Sequence, residues 1–220
     1  MSKHLERDLE QLSCDIVTIG GLVEEATQQA VTALQERRME LAELVIRNGS
    51  KIDGREVEIE DACLKMLALH QPVAEDLRFI TSVIKINSDL ERMGDLAMNI
   101  AQRAVFLTSQ DPIPFPSQLS TIGAATVTMV RRSLDALVKR DAQTALQVCR
   151  ADDEVDRLNR EIIAELIALM KKDASMVERA LSFFSATRHL ERIADHATNI
   201  AEDVVYLVEG EIIRHGMNVA

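Results

Sequence analysis

Apolar residues recur at three- and four-residue spacing along almost the whole chain, the pattern of helices that each bury one face. In the first half the pattern runs from about Leu5 to Leu34, from Leu41 to Leu69 and from Val73 to Leu107. In the second half it covers about 118–139, 142–171 and 175–209. Helix breakers fall between these runs. Three of the four prolines lie in Asp111-Pro-Ile-Pro-Phe-Pro, and the fourth, Pro72, follows Ala68-Leu-His-Gln. Pro72 suits a first helical position, Asp141 can cap the fifth helix, Asp173 or Ser175 can cap the sixth, and Gly210 is a stop signal. The two places where continuity is weakest are Gly20-Gly21 and Asn48-Gly49-Ser50. The third and sixth helices each exceed about 45 Å at ~1.5 Å per residue, which predicts an elongated molecule.

The six runs are one unit written twice. Leu90 to Leu107 reads LERMGDLAMNIAQRAVFL, Leu190 to Leu207 reads LERIADHATNIAEDVVYL, and ten of the eighteen positions are identical. Upstream, Val45-Ile-Arg-Asn-Gly-Ser-Lys-Ile-Asp aligns with Val148-Cys-Arg-Ala-Asp-Asp-Glu-Val-Asp at a slightly larger offset, so the duplication covers whole three-helix units. The expected fold is all-α, two tandem homologous three-helix bundles: residues 1–110, a Pro-rich linker at 111–117, and residues 118–220.

Composition agrees and narrows the function. Apolar side chains make up 47% of the 220 residues, enough for a real core, while aromatics supply 3% and the chain holds only eight glycines and four prolines. The net charge of −11 repels phosphate backbones and anionic lipid heads, which argues against nucleic acid and against direct membrane binding. No apolar run approaches the ~20 residues of a spanning helix; Glu165 interrupts even the stretch from Ile162 to Met170. The opening MSKHLERDLE lacks the apolar core of a secretory signal, so a cytoplasmic location is expected. Cys14, Cys63 and Cys149 are scattered and odd in number, as reduced thiols packed as small hydrophobes would be.

On a helical wheel Leu90, Met93, Ala97, Ile100, Ala101 and Ala104 gather on one face, and Glu91, Asp95 and Asn99 form a stripe away from it. Glu191, Asp195 and Asn199 repeat the stripe. Carboxylates four residues apart repel unless a positive charge lies between them. A solvated face, salt-bridged by Arg92 or Arg192, is the plain explanation of either pair taken alone. A second acidic pair points further. Asp152 and Asp156 are also four apart, and antiparallel packing of the fifth and sixth helices can set them beside Glu191 and Asp195. Four carboxylates on neighbouring helices make a site for a hard cation, magnesium, manganese, calcium or iron, whereas zinc normally recruits His or Cys. In the first half Gly49 stands where Asp152 does, leaving Asp53 with Glu91 and Asp95, one ligand fewer.

Catalytic signatures are missing. There is no Glu-x-x-His, H-E-x-x-H, phosphate-binding glycine loop, G-x-S-x-G or dinucleotide fingerprint. His189 and His196 fall opposite Glu191 and read as packing or partner-contact residues; His4, His70 and His215 sit near predicted helix ends.

The paired LER[IM]xD segments, together with Gln71-Pro-Val-Ala-Glu-Asp-Leu-Arg, Ile19-Gly-Gly-Leu-Val-Glu, the Asp-Asp-Glu-Val-Asp ending at Asp156 and the closing Gly210-Glu-Ile-Ile-Arg-His, resemble the PhoU family of phosphate-signalling regulators. The resemblance spans nearly the whole chain and implies paired three-helix bundles, often dimeric, that regulate rather than catalyse. It implies as partners the ATPase subunit of the phosphate ABC transporter and a phosphate-sensing histidine kinase, with the membrane reached only through them. Phosphate-starvation signalling and phosphate uptake would both be restrained. It also implies metal clusters (Fe, Mn, Mg or Zn) on E/D-x-x-x-D pairs, which here map to Glu91, Asp95, Glu191, Asp195, Asp152 and Asp156, with Asp53 in the weaker first cluster. The competing readings are a carboxylate-bridged metalloprotein, a phosphoester hydrolase or metal store, and a phosphorelay module using His189. The first would need a phosphate clamp beside the acids that the sequence does not offer, and the second an exposed histidine where the wheel predicts an apolar face.

Overall fold

The computed structural model describes residues 3–213, so His215 and the end of the Gly210–His215 segment lie outside the described residues. Six long helices form: α1 (Lys3–Glu36), α2 (Met39–His70), α3 (Ala74–Thr108), α4 (Leu119–Lys139), α5 (Ala142–Lys172) and α6 (Val177–Glu209), with one 3₁₀ turn, Ala174–Met176, before α6. Each half folds on itself, α1 and α2 against α3, and α4 and α5 against α6. The two halves then meet along α3 with α6 and α1 with α4, and a single apolar core runs through both.

The first connection of each half is the same device. Arg37 and Arg140 adopt left-handed backbone conformations, φ 55° and 50°. The next amide closes back over five residues, Arg38 N to Ala33 O at 3.1 Å and Asp141 N to Ala136 O at 2.9 Å, the Schellman arrangement that satisfies orphan carbonyls. Glycine would adopt that conformation without strain. Here tertiary contacts hold the arginines instead: Arg37 donates to Gln110 O (2.6 Å) and Arg140 to Glu75 Oε1 (2.9 Å). Asp141 caps α5 as expected, accepting from the amides of Gln143 and Thr144 at 3.0 and 3.1 Å. Asp173 caps the 3₁₀ turn by accepting from Ser175 N. Pro72 differs from expectation. Val73 is the N-cap and the helix starts at Ala74, so the proline lies outside α3 and its fixed φ shapes the entry rather than the first turn.

Neither weak point breaks its helix, because packing overrides local propensity there. Gly20 lets α4 approach: a Cβ at Gly20 would lie 2.7 Å from Leu134 Cδ2. At Gly123, 103 residues on, a Cβ would lie 2.7 Å from Val31 Cγ1, and Val31 is itself the repeat equivalent of Leu134. The α1–α4 contact is thus reciprocal, as across a two-fold axis.

The α3–α6 seam is antiparallel and polar in places. His196, 8% exposed, brings Nδ1 to 2.7 Å from Asp89 Oδ1, which also accepts from Asn199 Nδ2 at 3.3 Å. Asp203, 1% exposed, pairs with Lys85 Nζ at 3.5 Å. Here the two halves are not alike, since the repeat equivalents of Asp89 and His196 are His189 and Leu96.

Candidate acidic sites on α3 and α6

The helical wheel translates into identical presentation. From residue 91 to 100 and from 191 to 200 the sequence of buried, half-buried and exposed positions is the same, with Asp95 and Asp195 exposed and Glu91 and Glu191 half-buried. Each stripe faces the preceding helix of its own half, α2 or α5.

In the first half one oxygen each from Asp53, Glu91 and Asp95 lie within 4.8 Å of one another. Glu56, three residues beyond Asp53 and therefore on the same side of α2, joins them electrostatically; sequence reading did not single it out. Burial raises the Glu91 carboxyl above its ordinary value, and the charges of Asp95, Glu56 and Asp53 raise it further. Glu56 is raised by burial, with Glu60 and Asp53 adding to it. Glu56 thus adds negative charge two turns beyond Gly49, outside the three oxygens that converge. A Cβ at Gly49 would meet Met98 Sδ at 3.3 Å.

In the second half Asp152, Asp156, Glu191 and Asp195 also share one region, since each raised carboxyl there is raised partly by the others. Asp152 is pushed up to about 6, by burial first and then by Asp195, Asp156, Asp153 and Glu191. Glu191 and Asp195 are raised as well, again chiefly by burial. Yet these four do not converge as the first three do. Arg188 Nη1 donates to Glu191 at 2.8 Å and Arg160 Nη1 lies 3.6 Å from Asp156. Arg192 and Arg92, the arginines expected to relieve the stripes, remain exposed. At the repeat equivalents of Arg188 and Arg160 the first half has Ser88 and Val57. The remaining carboxylate oxygen of Glu191, Oε2, is buried with no hydrogen-bond partner.

Among the described residues the histidines have other partners, although the charge of His196 also reaches Asp195. His196 is part of the α3–α6 seam. His189 Nε2 is 3.2 Å from Ser185 Oγ, and burial, with Arg192 and Arg103 nearby, holds its pKa below the ordinary value. His70 Nε2 is 3.2 Å from Asp8 at the end of α2. Among the described residues the cysteines are unpaired; burial first, then Glu60, raises Cys63 to about 12, and burial first, then Glu202, raises Cys149 to about 11, so neither is a thiolate near neutral pH.

A duplicated all-α bundle carrying one acidic site per half, with no helix of the described residues long and apolar enough to cross a membrane, defines the class of molecule. The PhoU domain family matches twice, over residues 16–104 and 119–204, and the chain belongs to that family. It is 36% identical over 210 residues to the phosphate-specific transport system accessory protein PhoU homolog of Clostridium acetobutylicum, covering 95% of this chain and 96% of that one. The crystal structure of PhoU from Pseudomonas aeruginosa superposes with a TM-score of 0.92 at 39% identity, over 94% of this chain and 99% of that chain. The phosphate transport system regulatory protein PhoU from Streptococcus pneumoniae gives 0.87 at 32% identity, over 94% and 98%. These relatives carry the names of accessory and regulatory proteins, not of enzymes.

Proposed function

We propose that this chain is a cytoplasmic regulatory adaptor of a phosphate-specific transport system. It restrains uptake and phosphate-starvation signalling by bridging the transporter's ATPase subunit and a sensor histidine kinase. The observation that carries this reading is the matched exposure of two acidic stripes on two equivalent bundles, which gives one molecule two related docking faces. An adaptor of this kind works by binding one signalling state of its partner better than the other, so no covalent step is required of it. The names of the relatives support the transport context.

The donor set fits a metal. Asp53, Glu91 and Asp95 offer only oxygen, they approach closely enough to share one ion, and no arginine neutralises Glu91 from position 88. Those residues would hold a hard divalent or ferric ion, which would offset the repulsion among them and add a positive centre to an acidic face. In the second half, Asp152, Asp156, Glu191 and Asp195 would have to exchange Arg188 and Arg160 for the ion. The adaptor acts as a homodimer in this reading.

Affinity capture with the intact chain, from cells grown in ample phosphate, tests the proposal. Recovery of both the transporter ATPase subunit and the sensor kinase is expected, and recovery of neither overturns it.

A further inference from the structure

A groove of about 490 Å³ lies between the start of α1, the start of α3 and the end of α4, within the size range of ligand clefts (~300–1,000 Å³). Its floor is apolar, with Phe79 and Leu137, and Val17 and Val138 are exposed large hydrophobics along it. Its rim is acidic. Glu6, Glu10, Glu75 and Asp76 line it, and the one lining arginine, Arg140, is already paired with Glu75 at 2.9 Å.

The duplication reveals what such a position accepts. In the other half, the repeat equivalents of Arg140 and Phe79 are Arg37 and Arg179. The chain leaving α3 crosses between those two. Arg37 donates to Thr108 O (3.4 Å) and Gln110 O (2.6 Å), and Arg179 donates to Asp111 O (3.0 Å). The same segment continues with Pro116 buried and the Phe115 ring edge-on to Phe183 at 5.7 Å. An extended, proline-rich, apolar segment therefore covers the equivalent position in the second half. In the first half the counterpart stretch is 208–213, at the end of α6, and among the described residues none of it lines the groove. The charge balance differs: Arg37 and Arg179 hold the proline-rich segment, whereas four carboxylates and the single Arg140 surround this groove.

We infer that this groove docks an extended apolar segment of a partner protein that carries positive charge at its ends. A proline-rich segment is already extended before binding and loses little entropy on docking, and lysine or arginine at its ends meets Glu6, Glu10 and Asp76. The inference names a docking surface for the adaptor proposed above and rests on that reading.

The probe is a fluorescein-labelled synthetic heptapeptide, Lys-Pro-Ile-Pro-Phe-Pro-Lys, which copies residues 111–117 with lysine for Asp111 and Ser117. Its binding to the intact chain, followed by fluorescence anisotropy, is expected to be at least ~10-fold tighter than that of the unaltered copy of 111–117. Glu6→Lys combined with Glu10→Lys, both exposed positions on α1, is expected to reverse that preference with an unchanged thermal midpoint. Equal binding of the two peptides, or indifference to the double reversal, overturns the inference. So does binding only after residues 214–220 are removed, which would make the chain's own end the occupant. Capture of the ATPase subunit and kinase does not use the peptide. Intact capture with no peptide binding therefore sinks the groove alone, while lost capture with peptide binding sinks the adaptor reading.

Discussion

The two acidic sites occupy the same place in two copies of the same unit, yet their carboxylates are handled in opposite ways. At the positions three before Glu91 and four beyond Asp53 the first half has Ser88 and Val57, and three oxygens from Asp53, Glu91 and Asp95 converge within 4.8 Å. Around Glu191 the equivalents are Arg188 and Arg160, which draw Glu191 and Asp156 toward themselves. The scaffold and the stripe are common to both halves, while Gly49/Asp152, Val57/Arg160 and Ser88/Arg188 distinguish the charges around them. In the first site three carboxylate oxygens converge; in the second, Arg188 and Arg160 supply countercharge to Glu191 and Asp156.

The comparison presumes equivalent scaffolds, and the largest expected effect tests that premise. Leu90 and Leu190 are both fully buried at the same repeat position. Leu90→Ala and Leu190→Ala should each destabilise the chain by about 2–5 kcal/mol in chemical denaturation. Losses that differ between the two by more than ~2 kcal/mol would mean that the halves are packed differently.

The seam comes next. Asp89 accepts from both His196 and Asn199, whereas its repeat equivalent His189 keeps a buried Nδ1 without a partner. Asp89→Ala leaves buried donors unsatisfied and should cost about 1–3 kcal/mol. His189→Ala should cost less than Asp89→Ala, and the reverse order would contradict the asymmetry described for α3 and α6.

Metal affinity sharpens the contrast directly. In calorimetric titration with Mn²⁺, Asp95→Asn is expected to weaken the tightest site by at least ~10-fold, or ~1.4 kcal/mol, and Asp195→Asn to leave it within about threefold. A larger loss from Asp195→Asn would place the ion in the second half.

The smallest effect comes from Asp152, whose carboxyl is raised to about 6 in the folded chain. The folded state binds more protons than the unfolded one between the ordinary carboxyl value and that point. In chelator, stability contributed by this group is therefore present at low pH and lost as pH rises through about 6. The side chain is only half-buried, so solvent screening reduces the effect to about 1 kcal/mol. Asp152→Asn should raise the thermal midpoint at pH 7 by about 2–4 °C and leave it unchanged near pH 4. A lowered midpoint at pH 7 would mean that Asp152 is stabilised by its neighbours.

Most of the helical architecture was legible because the apolar spacing, the proline clusters and the repeat all encode the same elements. The wheel also placed Glu91 and Asp95 correctly on the side away from Met93 and Ile100, since that depends on one helix alone. What depends on two helices was not legible. Asp89, His196 and Asn199 meet only through the α3–α6 register, which no single-helix pattern contains. The arginine that pairs with Glu191 is Arg188, three residues before it, rather than the adjacent Arg192; spacing of three or four, not of one, brings helical side chains together. The same rule applied to Asp53 finds Glu56. Pro72 fell outside its helix because the left-handed Gln71 and extended Val73 already set the turn.

The central claim is that the exposed carboxylates of α3 and α6 are the docking faces of an adaptor, and charge reversal tests it most directly. The intact chain carrying Asp95→Lys and Asp195→Lys should keep its thermal midpoint within a few degrees and lose at least ~10-fold in capture of the transporter ATPase subunit and the sensor kinase. Undiminished capture by a folded double variant would contradict the account.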